Sequence, residues 1–219
     1  MRVRKRCRSE ITVLAGVNGA GKSSIGGAGL CENGVHYFNP DEVARELMVI
    51  DSGLSQEEAN SLSWRQGREL LKKAIESGSN YIFESTLGGT SMTDLLLKAA
   101  SQGAVLNVWY VGLESVEHHI QRVAARVRQG GHNIPEGDIR RRWVGSHANL
   151  IRLIPWVTNL SVYDNSLERD PGTGLAPEPR LLLSIEEKQL VYPPAEVLEQ
   201  IPAWAKPAVF SAYKHFGLV

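Results

Sequence analysis

The stretch from Ile11 to Ile25 constrains the fold of this chain more than any other. Ile11, Thr12, Val13 and Leu14 form an apolar, β-branched-rich run that reads as a buried parallel strand. It leads directly into Gly16-x-x-x-x-Gly21-Lys22-Ser23, a full match to the G-x(4)-G-K-[ST] phosphate loop. In such a loop the backbone N–H groups cradle phosphate oxygens, the lysine reaches the β- and γ-phosphates, and the hydroxyl holds Mg2+. Gly16, Asn18, Gly19, Ala20, Gly21, Lys22, Ser23 and Ser24 are therefore candidate nucleotide ligands, with ATP and Mg2+ as the expected cofactors. A helix is expected from Lys22 onward, its N-terminal dipole facing the anion. A chance glycine-rich turn would not carry a strand in front and a helix start behind.

At 219 residues the chain reads as one α/β domain over residues 10–219, preceded by a short basic tail at residues 1–9. Its 24 basic and 24 acidic residues balance, which gives no global pull toward a nucleic-acid or membrane-surface partner, and no such partner is expected. The opening MRVRKRCRSE resembles the charged start of a leader, but the apolar run behind it is the phosphate-loop strand. Cys7 and Cys31 make no disulfide framework and fit a reducing compartment, so a cytoplasmic location is expected.

Further along, Val35–Phe38 reads as a second strand that ends in Asn39-Pro40-Asp41-Glu42, a helix start. Ligands sit beyond the C-terminal ends of parallel strands, which would bring Asp41 near the phosphate loop. Asp41 there is either a residue of the site or simply a favourable charge at a helix N-terminus. Ser55-x-x-Glu58 opens a long amphipathic helix that Gly78 ends. Tyr81–Phe83 is a third strand, followed by Glu84-Ser85-Thr86-Leu87-Gly88-Gly89. Glu84 there is a candidate for the Mg2+ shell or for orienting a hydroxyl, or else a buried structural acid. A helix over Thr93–Ser101 and a strand over Ala104–Val111 follow.

The second informative stretch begins at Ser115. A helix to Gln129 carries Arg122 and Arg126 on one face, and Gly130-Gly131-His132-Asn133-Ile134-Pro135 breaks it. A new helix then starts near Asp138 with Arg140, Arg141 and Arg142 in its first turns, where the dipole disfavours positive charge. Arginines on both sides of such a break suit a lid at about 122–142 closing over ATP phosphates, as in adenylate-kinase-like enzymes. A solvated basic helix face is the plainer reading of any single one of them. Leu160–Tyr163 is a fifth strand ending in Asp164-Asn165-Ser166, and Asp164 and Asn165 are candidate base contacts. Asp170–Gly174 is a turn, Arg180–Leu183 and Gln189–Tyr192 suit an antiparallel hairpin, and the proline-interrupted tail is partly helical. The expected fold is thus an α/β P-loop kinase fold: a mostly parallel five-stranded sheet flanked by helices, with a lid and a hairpin and tail at about 179–219.

Five stretches together, GVNGAGKSS, NPDEVARE, FESTLGG, VGLESVEHHIQRVAARVRQGGHNIPEGDIRRRW and VYDNS, give the chain a likeness to the zeta-toxin family of P-loop kinases, of the short type without an appended antitoxin domain. They span most of the first 166 residues. The resemblance implies ATP-dependent phosphorylation of UDP-N-acetylglucosamine at the amino-sugar 3'-hydroxyl, restrained by a separate antitoxin protein. It implies that Lys22 and Ser23 serve ATP and Mg2+, that Asp41 accepts the hydroxyl proton, and that Glu84, Thr86 and His132 face the substrate. Arg122, Arg126 and Arg141 are then the candidates for stabilising the transferring phosphoryl group. The chain departs from the long members in carrying Gly88-Gly89 where they have a basic residue, and its lid arginines do not align one-to-one with theirs. A kinase for another hydroxyl substrate (nucleoside, sugar or antibiotic) and a nucleotide-gated binding module are the alternatives. A polynucleotide kinase ranks last, since a balanced charge offers no groove for a phosphate backbone.

Overall fold

The structure, a computed structural model, describes residues 9–27, 37–168 and 177–219. The alternation of apolar residues along β1 (Glu10–Ala15) puts Ile11, Val13 and Ala15 on one face of a six-stranded sheet. The strand order is β2-β1-β3-β4-β5-β6, with β2 Tyr81–Ser85, β3 Val105–Gly112, β4 Asn159–Asp164, β5 Arg180–Glu186 and β6 Gln189–Tyr192. The first four are mutually parallel, and β5 and β6 continue the sheet antiparallel. The α/β, mostly parallel architecture and the C-terminal hairpin are as expected, and among the described residues the sheet holds four parallel strands and two antiparallel ones. Of the stretch read as a second strand, Val35 and His36 lie outside the described residues. Phe38 makes a single parallel bridge to Phe83 at the β2 edge, through Phe38 N–H to Ile82 O and Glu84 N–H to Phe38 O, both 2.9 Å.

The helices are α1 Pro40–Ile50, α2 Gln56–Ser77, α3 Thr90–Ser101, α4 Val116–Arg128, α5 Glu136–Leu153 and α6 Lys206–His215. Local sequence sets their ends. Asn39 caps α1 by accepting from Asp41 N–H, Ser55 and Glu58 form a reciprocal capping box on α2, and Gly78 ends α2 in the left-handed region. Of the helix expected from Lys22, the described residues hold a π-helical turn at Ser23–Gly27, where Gly26-Gly27 gives little α-helix propensity, and residues 28–36 lie outside them.

The main core lies on the Ile11/Val13 face. Phe83, Leu106, Val108, Tyr110, Leu160 and Val162 pack there against Leu71 of α2, Leu96 of α3, Leu150 and Leu153 of α5 and Val209 of α6. A second, smaller cluster joins Val17 of the phosphate loop to Val123 of α4 and Ile134 and Ile139 around the start of α5. The loop is therefore seated on the two helices that carry the arginines. None of the described helices is long and apolar enough to cross a membrane.

Candidate active site

The phosphate loop leaves β1 with Gly16, Gly19 and Gly21 all at positive φ (137°, 85° and 94°), which side chains rarely tolerate. At Gly16 a Cβ would stand 2.1 Å from the carbonyl oxygen of Val111, so β3 itself excludes any other residue. Lys22 and Ser23 at the end of the loop converge on one carboxylate. Ser23 Oγ donates to Glu84 Oε2 at 2.9 Å, and Lys22 Nζ lies 3.4 Å from Glu84 Oε1. Lys22 and Glu84 are both more than nine-tenths buried, so each charge depends on the other. Parallel pairing of β1 with β2, Leu14 opposite Glu84, creates this meeting.

Beyond the C-terminal strand ends lies a cleft of ≈ 360 Å3. One wall carries Asn18, Glu84 and Thr86, another Asp41, and the helix-break residues His132 and Pro135 close over it. Phe38, Asn60 and Trp64 line the remaining side, and Arg141 and Arg142 stand at the α5 end. Asp41 Oδ2 lies 4.0 Å from His132 Nε2. Burial pushes the His132 pKa below its ordinary value, and Asp41 only partly opposes that, so the imidazole is neutral near pH 7.

The loop after β2 is unusual in its backbone. Leu87 has φ 50°, Ser85 Oγ accepts from Leu87 N–H (3.1 Å), and Thr86 Oγ1 accepts from Gly88 N–H (3.3 Å). From α5, the buried Asn149 donates to Leu87 O (2.7 Å) and Gly89 O (3.1 Å). Gly88 and Gly145 allow helix and loop to touch backbone to backbone: a Cβ on Gly145 would lie 2.2 Å from Gly88 O.

The residues singled out from the sequence separate into two groups. Lys22, Ser23, Glu84, Asn18, Asp41, Thr86, His132 and Arg141 gather at the cleft or its phosphate-loop edge. Arg141 is at the rim, mostly exposed and tied to Asp138 Oδ1 at 2.8 Å. Arg122 turns away from the cleft and bonds Glu168 Oε1 (3.3 Å) and Leu167 O (3.1 Å). Arg126 packs against Gly131, with its Nε and one terminal nitrogen buried and without a hydrogen-bond partner among the described residues. Asp164 accepts from the N–H (3.0 Å) and the hydroxyl of Ser166, closing a turn after β4. Asn165 Nδ2 donates to Ala20 O (2.8 Å) on the outside of the phosphate loop.

Sequence reasoning named Arg142 and Asp138 only as part of the lid helix, chose Arg141 as the site arginine, and gave Trp64 and His119 no role. Arg142 donates to Asn18 Oδ1 (2.8 Å) and lies 3.9 Å from Asp138 Oδ2, so it joins α5 to the phosphate loop. Helical periodicity held the signal: Arg142 falls three residues after buried Ile139 and four before buried Ser146, on the inward stripe that Arg141 misses. Among the described residues no group of three or more His, Cys, Asp or Glu is arranged to hold a metal ion.

A parallel sheet whose first strand ends in a phosphate loop, with a carboxylate on the neighbouring strand gripping the loop lysine and hydroxyl, defines an α/β P-loop protein with the fold of ATP-binding proteins. Residues 11–142 match the model of the AAA domain family AAA_33, and the chain belongs to that family. An uncharacterized protein of Haemophilus influenzae is 32% identical over 136 residues, 58% of this chain and 88% of that one. Among solved structures, a chain of the AvrRxo1-ORF1:-ORF2 complex with ATP superposes with a TM-score of 0.66 at 18% identity. That match covers 90% of this chain and 64% of the other, so the present chain spans less than two thirds of its length. A chain of the PezAT chromosomal toxin-antitoxin system of Streptococcus pneumoniae gives a TM-score of 0.52 at 13% identity, covering 96% and 86%.

Proposed function

We propose that the protein is an ATP-dependent phosphotransferase that moves the γ-phosphoryl group of ATP to a hydroxyl of a small molecule held in the cleft. The observation that carries this reading is the placement of the Asp41 carboxylate in one cleft with Glu84, the acid that grips Lys22 and Ser23 of the phosphate loop. A hydrolase needs no second pocket beside its phosphate loop; a transferase does. The acceptor oxygen attacks the γ-phosphorus while the bond to the β,γ-bridging oxygen breaks and ADP leaves. Asp41 takes the hydroxyl proton, and neutral His132 beside it adds no charge that would hold the carboxylate back. Lys22 trades Glu84 for the phosphates, and Arg142, Arg141 and Arg126 supply positive charge from the helix-break side.

Mg2+ suits the hard oxygen donors that meet here, Ser23 Oγ and the Glu84 carboxylate, because it binds through few protein oxygens together with phosphates and water. When bound it would neutralise phosphate charge. The acceptor favoured by the sequence resemblance is UDP-N-acetylglucosamine at its amino-sugar 3'-hydroxyl, with the protein acting as the toxin of a toxin-antitoxin pair. Support for a partner comes from the PezAT likeness, since that protein is described as part of such a system. The cytoplasm, where ATP and the sugar nucleotide are both available, is the expected location.

The test is ADP release from Mg-ATP with UDP-N-acetylglucosamine, set against ATP alone and a panel of nucleosides, sugars and antibiotics. Acceptor-dependent turnover with a product heavier by one phosphate establishes the transferase and identifies the acceptor. Turnover with a different acceptor replaces the toxin reading by a metabolic or resistance kinase. No acceptor dependence, together with a conformational change on ATP binding, would replace transfer by nucleotide-gated binding.

A further inference from the structure

Phosphate loops hold anions with backbone N–H groups, so something must turn the right peptides inward. In a planar trans peptide the C=O and the following N–H point in opposite directions. A bond that pulls the carbonyl outward therefore aims the next N–H inward. Two carbonyls of this loop are pulled outward by side chains from other elements. His119 Nδ1 lies 2.9 Å from Asn18 O, and Asn165 Nδ2 lies 2.8 Å from Ala20 O. The residues that follow those carbonyls are Gly19 and Gly21, both at positive φ. Their N–H groups are not taken up by any other group among the described residues.

We infer that His119 and Asn165 are positioning residues of the phosphate loop: each pins one carbonyl outward and thereby turns the N–H of Gly19 or Gly21 toward the bound anion. This rests on the reading that the loop binds ATP. Contact on both sides is flush. A Cβ on Gly19 would meet His119 O at 2.8 Å, and one on Gly21 would meet Asn165 Nδ2 at 2.6 Å, so the residues that carry both pins lie directly against the loop backbone. His119 is fully buried on the first turn of α4, and a carbonyl only accepts, so its ring carries the proton on Nδ1. Its ring is neutral near pH 7, since burial pushes the pKa to about 4. The same Asn18 takes Arg142 on its side chain, which makes it the joint between both lid helices and the loop.

The experiment measures Mg-ATP binding by titration calorimetry, and ATP KM and kcat, for the wild type and His119→Leu, His119→Asn and Asn165→Leu. Leu keeps the volume at each site and removes the donor; Asn at 119 restores an N–H. Each Leu variant should bind ATP about tenfold more weakly, with most of the loss in the ATP KM rather than in kcat. His119→Asn should recover most of it. Ring 15N shifts of the wild type should show a protonated Nδ1 and a bare Nε2 at His119, a result independent of whether the Leu variant folds. Wild-type affinity in Asn165→Leu and in a folded His119→Leu, or the opposite tautomer in the wild type, would overturn the inference. A wild type that binds no ATP would instead defeat the nucleotide reading on which it rests.

Discussion

Replacing Gly145 by alanine puts two effects in opposition. An alanine in the middle of an exposed helix is worth about 1 kcal/mol over glycine. Here the added Cβ would stand 2.2 Å from Gly88 O and 3.0 Å from the Gly88 carbonyl carbon. Ordinary contact needs roughly 1 Å more, and both parties are backbone. Neither side yields freely: α5 is fastened by fully buried Leu150 and Leu153, and the loop by the two Asn149 bonds of 2.7 and 3.1 Å. Overpacking of this kind costs about 1–3 kcal/mol, and weakening both Asn149 bonds adds about 1 kcal/mol each. The net expectation is a loss of about 3 kcal/mol, or a fall of roughly 1 M in the urea midpoint for a slope of about 3 kcal/mol per M. Transfer activity should fall with it, because the same loop carries Thr86 and follows directly from Glu84. A Gly145→Ala protein as stable as the wild type, or more so, would show that helix propensity wins and that α5 does not touch the loop backbone.

Other perturbations report on the remaining parts of the site. Asp41→Asn should leave ATP affinity within a few-fold and lower kcat by two orders of magnitude or more, read from ADP release at saturating substrates. Near-normal turnover would return Asp41 to a plain helix-start role. Glu84→Gln strands the buried Lys22 charge and should cost about 3 kcal/mol in the free protein, with added Mg-ATP restoring part of the thermal midpoint. Arg142→Lys, which keeps charge but not the guanidinium fork, should lower kcat more than tenfold, whereas Arg122→Lys should stay near wild type; the reverse order would place the transfer arginine at 122. Stability should also fall with acid. His119, His132 and His147 all have pKa values depressed by burial, so below pH ~6.5 the unfolded chain holds protons that the folded chain lacks. For His119, with a folded pKa of about 4, the loss reaches about 2 kcal/mol by pH 5, and His119→Asn should flatten that slope in urea titrations.

Local signals in the sequence reached as far as local physics does. The β1–phosphate loop junction, the Asn39 and Ser55 caps and the terminal hairpin each rest on residues a few positions apart, and all can be read directly. Strand order is a different matter. Nothing near Phe38 says that it will bridge to Phe83 at the outer edge of β2, because that depends on what β2 finds at its edge. Within the site, motif spacing located Lys22, Asp41 and Glu84 but not the direction of arginine side chains. Arg122 and Arg126 share a helix face, yet one bonds the segment after β4 and the other packs against Gly131 with two of its nitrogens buried. Asn165 was visible as a polar residue after the last parallel strand. Its role as a donor to Ala20 O depends on a contact 145 positions away in sequence, which no window can hold.

The family match ends at residue 142, inside α5, while the sheet does not end there. A fragment cut at that boundary would lose β4, β5 and β6 and leave β3 from Asn107 to Gly112 as a bare edge. It would also lose Trp204, whose ring lies against Gly112 so closely that no Cβ would fit. Such a fragment keeps every residue of the phosphate loop, Asp41 and Glu84, yet presents an open ladder of unpaired N–H and C=O groups to its neighbours. Its fate is self-association through that edge rather than a minimal enzyme. The phosphate loop, Asp41 and Glu84 thus lie before that boundary, and the strands that cover the β3 edge all lie after it.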